Sequence, residues 1–426
     1  MKTAGPQVVI TGIGPVASIG VGRDAFWEAL AESRCRVARK SLAVDVARST
    51  ELVIASTDAN AEAPELRRHM AFLADQQCGE ARDLALALWA AELALADAGL
   101  TSNLDRNRAG MVQVFEAPGV EQTVGRLFGL FRSPPDLSAG PPRLYDHLAQ
   151  GFYNMQPFVY VHVAAKALGL HAFCTSVHNA CSSGAFAIEA ATQQIRGGAA
   201  DVMIVMGGEA FETAVRLEWF QRLGLYAKDE KMRPFNSEPS GFFVGEGGAA
   251  LILESAAHAA RRGVKPYATY LGGAFAHQGW KQTIPDLRAN LLADVARQAL
   301  TRTGVRSNDV DLLAPHGAAT GLSDQYEAGC LKLAVERWSD RAVAAVFKPY
   351  FGHLLAASGL MEVAALMLCL KHQAVPAAPH NRSSNGLLPV PLATRFESRE
   401  LRSVLKVSTG FTGHDAAIVF QKNDGA

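Results

Sequence analysis

Two segments of the chain share one plan, and that repetition constrains the fold more than any single motif does. The first runs Thr175-Ser176-Val177-His178-Asn179-Ala180-Cys181-Ser182-Ser183-Gly184, continues as a helical pattern to Arg196, and enters the apolar run Val202 to Met206 after Gly197-Gly198. The second runs Ala342 to Phe347, then Lys348-Pro349-Tyr350-Phe351-Gly352-His353, then a small-residue helical pattern from Leu354 to Leu370. Each places a reactive side chain where a strand turns into a helix. Every βα unit has this outline, so the likeness is a hint of internal duplication. The same alternation runs from Val8-Val9-Ile10-Thr11-Gly12-Ile13-Gly14, a β-branched run before a helix at Asp24 to Ala31, through a helix at Leu84 to Ala98 and a strand at Met111 to Phe115. It predicts a mainly parallel sheet architecture covered by helices. Ser133 to Pro142 carries four prolines and a glycine and reads as a loop.

At 426 residues, 49% of them hydrophobic, the chain holds two or three structural units or one large α/β domain built from two halves. Its 41 basic and 41 acidic side chains balance. That balance argues against a nucleic-acid or anionic-membrane binder, which needs excess Lys and Arg over its surface, and confines any acidic partner to a local basic patch. The six cysteines, Cys35, Cys78, Cys174, Cys181, Cys330 and Cys369, show no CxxC spacing. They fit a reducing cytoplasm better than a disulfide framework. The N-terminal residues lack the pattern of a secretory signal. The longest purely apolar run, Val363 to Leu370, is far short of the roughly 20 residues that cross a bilayer, so no membrane span is expected.

Cys181 is the candidate nucleophile. At the start of a helix the partly positive dipole end favours a thiolate; a buried, inert cysteine remains the alternative on position alone. His316, in Pro315-His316-Gly317-Ala318-Ala319-Thr320 after the strand Val310 to Ala314, and His353, after Gly352, join it. Three such groups at strand ends converge naturally at the carboxyl edge of an α/β sheet. Three zinc ligands are the competing reading, but the spacing matches no closed zinc motif, so no metal is expected. Lys348 needs a counter-charge if buried, and Asp324 and Glu327, three residues apart on the helix after His316, are the candidates. Solvated surface charges are the bland alternative.

These segments together resemble the β-ketoacyl-acyl-carrier-protein synthases of the thiolase superfamily, most closely the type II elongating enzymes. The likeness spans nearly the whole chain: Val8 to Gly14 with Phe26-Trp27-Glu28-Ala29-Leu30, Asn179 to Gly184, Arg233-Pro234-Phe235, Gly245-Glu246-Gly247, His316-Gly317 with Thr320, Asp324 and Glu327, Lys348 with Gly352-His353, and Gly410-Phe411-Thr412-Gly413-His414. The resemblance implies a thiolase-like α/β fold, two related βαβαβ halves packed as a five-layer α-β-α-β-α sandwich. Residues 1–255 would form the half carrying the nucleophilic cysteine, with insertions, and residues 256–426 the half carrying both histidines.

It also implies a decarboxylative Claisen condensation without a bound cofactor, the substrates riding on the phosphopantetheine of an acyl-carrier protein. Cys181 would hold the acyl chain, with the backbone N–H groups of Cys181 and Phe411 as its oxyanion hole. His316 and His353 would polarise the malonyl thioester, and Lys348 would contact Glu327 to order the histidine loop, with Asp324 in support. Thr320 would bind the pantetheine arm, its usual companion being replaced by Ala318. Phe411 would act as a gate, with Thr412 at a position usually held by glycine. Arg67 and Arg68 match the basic segment offered to carrier proteins. A homodimer is implied, or a heterodimer with a ketosynthase-like subunit. Two departures, Asn236-Ser237-Glu238-Pro239-Ser240 and the stretch Gln113 to Gly119 without its usual glycines, point to specialised polyketide or polyene assembly rather than housekeeping fatty-acid elongation. The alternatives are a Cys-dependent acyltransferase of the same fold and a tunnel-shaping partner subunit.

Overall fold

A computed structural model of the chain describes residues 5–133, 144–381 and 386–423. The proline-rich loop expected at Ser133 to Pro142 falls, apart from Ser133, outside the described residues. Ten strands carry the architecture: β1 (Val8–Ala17), β2 (Ala109–Val114), β3 (Cys174–Ser176), β4 (Val202–Glu209), β5 (Gly247–Ser255), β6 (Ala268–His277), β7 (Leu312–Ala314), β8 (Val343–Ala344), β9 (Ser403–Gly410) and β10 (His414–Lys422). Their order is β3-β2-β4-β5-β1 in the first half and β8-β7-β9-β10-β6 in the second, which is one pattern used twice. Directions repeat as well. In each half the first three strands are parallel and the last two pairings antiparallel. Even the irregularities repeat, with register shifts at Ile10/Gly12 in β1 and Tyr270/Gly272 in β6.

The mainly parallel sheet that the alternation suggested is therefore mixed. Phe411–Gly413 joins β9 to β10 in three residues, and so short a connection allows only an antiparallel return. The halves meet where β1 pairs with β6, Val8 opposite Tyr270 and Ile10 opposite Ala268.

Side chains alternate between the two faces of each strand, and the core divides accordingly. Val112, Val114, Met203, Val205, Leu251 and Leu253 of the first half face Leu312, Val404, Ala416, Ile418 and Phe420 of the second across a central layer. The intervening residues, Met111, Ile204, Met206 and Ile252, turn outward onto helix α1 (Arg82–Asp97). The central layer consists of α2 (Ser183–Arg196), which follows Cys181, and, beyond the outer α3 (Leu291–Thr303) and α4 (Gly321–Ala334), of α5 (Ser358–His372), which follows His353. Leu313, Leu405, Val407, Ala417 and Val419 pack onto α3 and α4, completing five layers.

The two central helices cross at their first turns. A Cβ on Gly184 would lie 2.9 Å from the backbone N of Leu360, and Gly359 faces it, so only glycine allows this approach. That crossing brings the two strand-to-helix turns of the repeat to the same place. Leu355–His372 is the one stretch among the described residues long and apolar enough to cross a membrane. Of this stretch 89% is buried, between the two halves of the sheet, and it behaves as a core helix.

Candidate active site

Cys181, His316, His353, Thr320, Phe411 and Thr412 all line one cavity of about 530 Å³. Cys181 stands just before α2, behind Ala180, whose φ of 48° is a strained left-handed value for a residue with a side chain. The turn is pinned on both sides: Ser183 Oγ donates to Ala180 O at 2.7 Å and accepts from Asn179 N at 2.8 Å, while Ser182 Oγ donates to His414 O at 2.7 Å. Gly410 closes against it, and a Cβ there would come within 3.0 Å of Asn179 O.

The electrostatics of the thiol differ from the sequence expectation. The backbone N–H groups of Phe411 and Cys181 and the Lys348 charge favour a thiolate, but burial, helped by the Glu116 charge, outweighs them and pushes the thiol up to about 12. A helix terminus contributes only about 0.3–1 kcal/mol, less than one pKa unit, so desolvation decides the balance. Burial thus favours the neutral thiol at rest, and the backbone N–H groups of Phe411 and Cys181 face its sulfur.

His316 follows β7 and His353 precedes α5; their ring centroids are 5.5 Å apart at 71°. Both are buried, and desolvation first, then the Lys348 charge, holds each well below the ordinary histidine value. The neutral tautomer follows from the donors around each Nδ1. Leu355 N donates to His353 Nδ1 at 3.1 Å, with Ser358 Oγ at 2.7 Å on the same nitrogen. Lys348 Nζ lies 3.4 Å from His316 Nδ1. An Nδ1 that accepts leaves the proton on Nε2, so both rings are hydrogen-bond donors through Nε2.

The counter-charge of Lys348 is Glu362, and this corrects the expected Lys348–Glu327 contact. Lys348 Nζ lies 2.7 Å from Glu362 Oε1 and also donates to His316 O. Glu362 Oε2 in turn holds Lys406 Nζ at 2.9 Å, and all three side chains are at most 2% exposed. Glu327 works on the same loop by another route: its carboxylate accepts the backbone N–H groups of His316 and, at 2.9 Å, Gly317. Asp324 accepts from Phe235 N at 2.7 Å and Ala319 N at 3.1 Å. Burial pushes Glu327 up to about 7 and Asp324 up to about 8. Ser358 and Glu362 are one helical turn apart on α5, so one face of that helix serves both histidines.

Thr320 is buried at the start of α4, and Ala318 faces the same cavity without a hydroxyl. Thr412 has a φ of 62°, the left-handed conformation that explains why glycine suits this position, and its N–H donates to Gln282 O at 2.6 Å. Phe411 packs against Trp219 and Phe220. Arg67 and Arg68 lie away from the cavity wall, exposed on the helix Pro64–Asp75 and paired with Glu62 and Glu92. No group of three or more His, Cys, Asp or Glu among the described residues is arranged to hold a metal ion.

Comparison with known proteins places this site in a family. The model of the β-ketoacyl synthase N-terminal domain matches residues 6–259, and that of its C-terminal domain residues 267–382. The chain is 29% identical over 437 residues to the tetracenomycin polyketide synthase ketoacyl synthase alpha subunit of Streptomyces glaucescens, covering 99% of this chain and 98% of the relative. It is 27% identical to the 3-oxoacyl-[acyl-carrier-protein] synthase 2 of Rhizobium meliloti, covering 98% and 99%. The ishigamide ketosynthase/chain length factor structure superposes with a TM-score of 0.83 at 23% identity, over 99% of this chain and 100% of that one.

Proposed function

The chain belongs to the β-ketoacyl synthase family, and from that premise we propose that it condenses a Cys181-bound acyl group with malonyl-acyl-carrier protein to give 3-oxoacyl-acyl-carrier protein. The observation that carries this reading is the meeting of one thiol and two neutral Nε2–H donors in one cavity. In the first stage the Cys181 sulfur attacks the acyl thioester carbon. The oxyanion forms against the N–H groups of Cys181 and Phe411, and the carrier thiolate leaves, taking up the proton that the thiol loses. In the second, the malonyl carboxylate departs as carbon dioxide, and the electron pair of that C–C bond passes into an enolate whose oxygen is held by His316 and His353. The enolate carbon then attacks the acyl-Cys181 carbon, the C–S bond breaks, and the released Cys181 thiolate takes a proton from solvent. Lys348, Glu327 and Asp324 position the histidine loop; Thr320 binds the arm, and Phe411 with Thr412 gates the cavity. We take residues 1–255 and 256–426 as the two halves, and a dimer in a reducing cytoplasm as the working form, built with a second copy or a ketosynthase-like subunit.

The polyketide relative and the sequence departures together support specialised polyketide or polyene assembly over housekeeping elongation. Incubation with acyl- and malonyl-carrier protein should release carbon dioxide and yield a product two carbons longer. A chain-length series that gives acylation without any such product would leave only the acyltransferase reading.

Two further outcomes are expected. Because both histidines are held well below 6.5, they remain neutral donors from about pH 6 to about pH 8, and single-turnover condensation by pre-acylated enzyme should lack an acid limb near 6.5. A limb there would mean that a histidine charges in place. Reversing both charges in Arg67→Glu/Arg68→Glu should raise the carrier-protein KM about tenfold at low salt, with a smaller effect as salt rises. An unchanged KM would move carrier docking to another surface.

A further inference from the structure

His414 ends a motif whose other members, Gly410 to Gly413, all line the cavity, yet the condensation steps leave it without a role. The two backbone N–H groups that face the Cys181 sulfur come from different halves of the sheet, one from Cys181 itself and one from Phe411. No short covalent path sets their spacing, so ties across the two turns must hold it. His414, the first residue of β10, provides two of them. Its carbonyl accepts from Ser182 Oγ at 2.7 Å, and Asn179 Nδ2 donates to its Nδ1 at 3.2 Å. Asn179 and Ser182 bracket Cys181 and the left-handed Ala180, while His414 lies three residues after Phe411. Gly410, paired with His414 across β9 and β10, leaves no slack: a Cβ on it would meet Asn179 O at 3.0 Å and Cys181 N at 3.3 Å. The His414 ring is itself fixed, with the His277 ring 4.7 Å away and Phe186 of α2 packed edge-on at 6.0 Å. Burial, then the neighbouring His277, holds His414 below the ordinary histidine value, so at pH 8 the ring is neutral and Nδ1 is able to accept.

We propose that His414 is a positioning residue for acyl transfer: its ring and carbonyl clamp the Cys181 turn to the Phe411 turn and so set the distance between the two N–H groups that receive the oxyanion. Donors stabilise developing charge best when they are held in place beforehand, because donors that must reorganise during the reaction give up part of their advantage. His414 does not line the cavity, so it acts through the two turns and not on the substrate. The carbonyl tie persists whatever side chain stands at 414, whereas the ring tie does not, and substitution therefore isolates the ring. The inference rests on the ketosynthase reading above.

The test compares, at pH 8, single-turnover acylation of Cys181 at saturating acyl-carrier protein with alkylation of the same thiol by iodoacetamide, which forms no oxyanion; both are followed by peptide mass at Cys181. His414→Leu should slow acylation about five- to tenfold, the worth of one part-buried neutral hydrogen bond, and change alkylation less than about twofold. His414→Asn, whose amide places an acceptor near the position of Nδ1, should stay within about twofold of wild type in both reactions. Asn179→Ala removes the other end of the bond and should match His414→Leu in acylation, which keeps the test open where His414→Leu fails to fold. The double variant should be no slower than the slower single one. Acylation unchanged in both single variants, an equal fall in alkylation, no recovery in His414→Asn, or multiplied effects in the double variant overturns the proposal while leaving the ketosynthase reading intact. Absence of acylation from every carrier thioester of a chain-length series in folded wild-type protein overturns both.

Discussion

Cys181→Ala should lose acyl transfer by at least about 10³-fold, leaving no acyl adduct by intact-protein mass and no 3-oxoacyl product. The expectation follows from position: Cys181 is the one cysteine that lines the cavity shared with both histidines. Cys369, by contrast, is enclosed in the middle of α5, and burial there raises its thiol with nothing nearby to use it. The histidine variants should separate the two stages. His316→Ala or His353→Ala removes a single Nε2–H donor to the enolate, which should cost about 10²–10³-fold in condensation while acylation of Cys181 continues. Ser358→Ala should be milder than His353→Ala, because Leu355 N still donates to Nδ1 and keeps the proton on Nε2. Persistence of acylation in Cys181→Ala would show that another group is the nucleophile. Equal loss of both stages in the histidine variants would show that the rings act on the first transfer as well.

The reactive groups were legible in the sequence because each interrupts a strand-to-helix turn next to small residues, and a repeated turn is a local pattern. The repeat itself extends further than local pattern reveals. Its strand order and even its two register shifts match between halves whose sequences show only a common outline. The antiparallel pairings were missed because alternation of strands and helices specifies which elements exist, not the direction in which distant ones pair. The partner of Lys348 was missed for a different reason. Glu362 lies in Gly359-Leu360-Met361-Glu362-Val363-Ala364, and Lys406 in Val404-Leu405-Lys406-Val407. A single charge within an apolar run must be buried, and a buried charge must be paired, so the two signals were present. Proximity along the chain drew Lys348 to Asp324 and Glu327 instead, although these carboxylates serve backbone N–H groups.

Those two isolated charges lead to the other large expected effect. Glu362→Ala leaves Lys348 and Lys406 in the core with no carboxylate between them, two ammonium groups that also repel each other. Breaking a buried pair costs about 3–5 kcal/mol, a large share of the roughly 5–15 kcal/mol that holds a folded domain together. Glu362→Ala should therefore shift urea unfolding by an amount of that order or fail to accumulate as folded protein. Glu362→Gln keeps the shape and an acceptor but not the charge, and should fall between it and wild type. Lys348→Ala provides the contrast, since Glu362 then still faces Lys406 and no charge is left without a partner. It should be the more stable of the two alanine variants and yet the poorer relative to its stability in condensation, because it removes the donor to His316 O and Nδ1 and with it the force that fixes the Nε2 tautomer. That inversion separates a role in positioning the histidine from a role in holding the core. If Glu362→Ala unfolds at the same urea concentration as wild type, the charge cluster does not hold the two halves' central layer together. If both variants lose condensation only in proportion to stability, Lys348 does not orient His316.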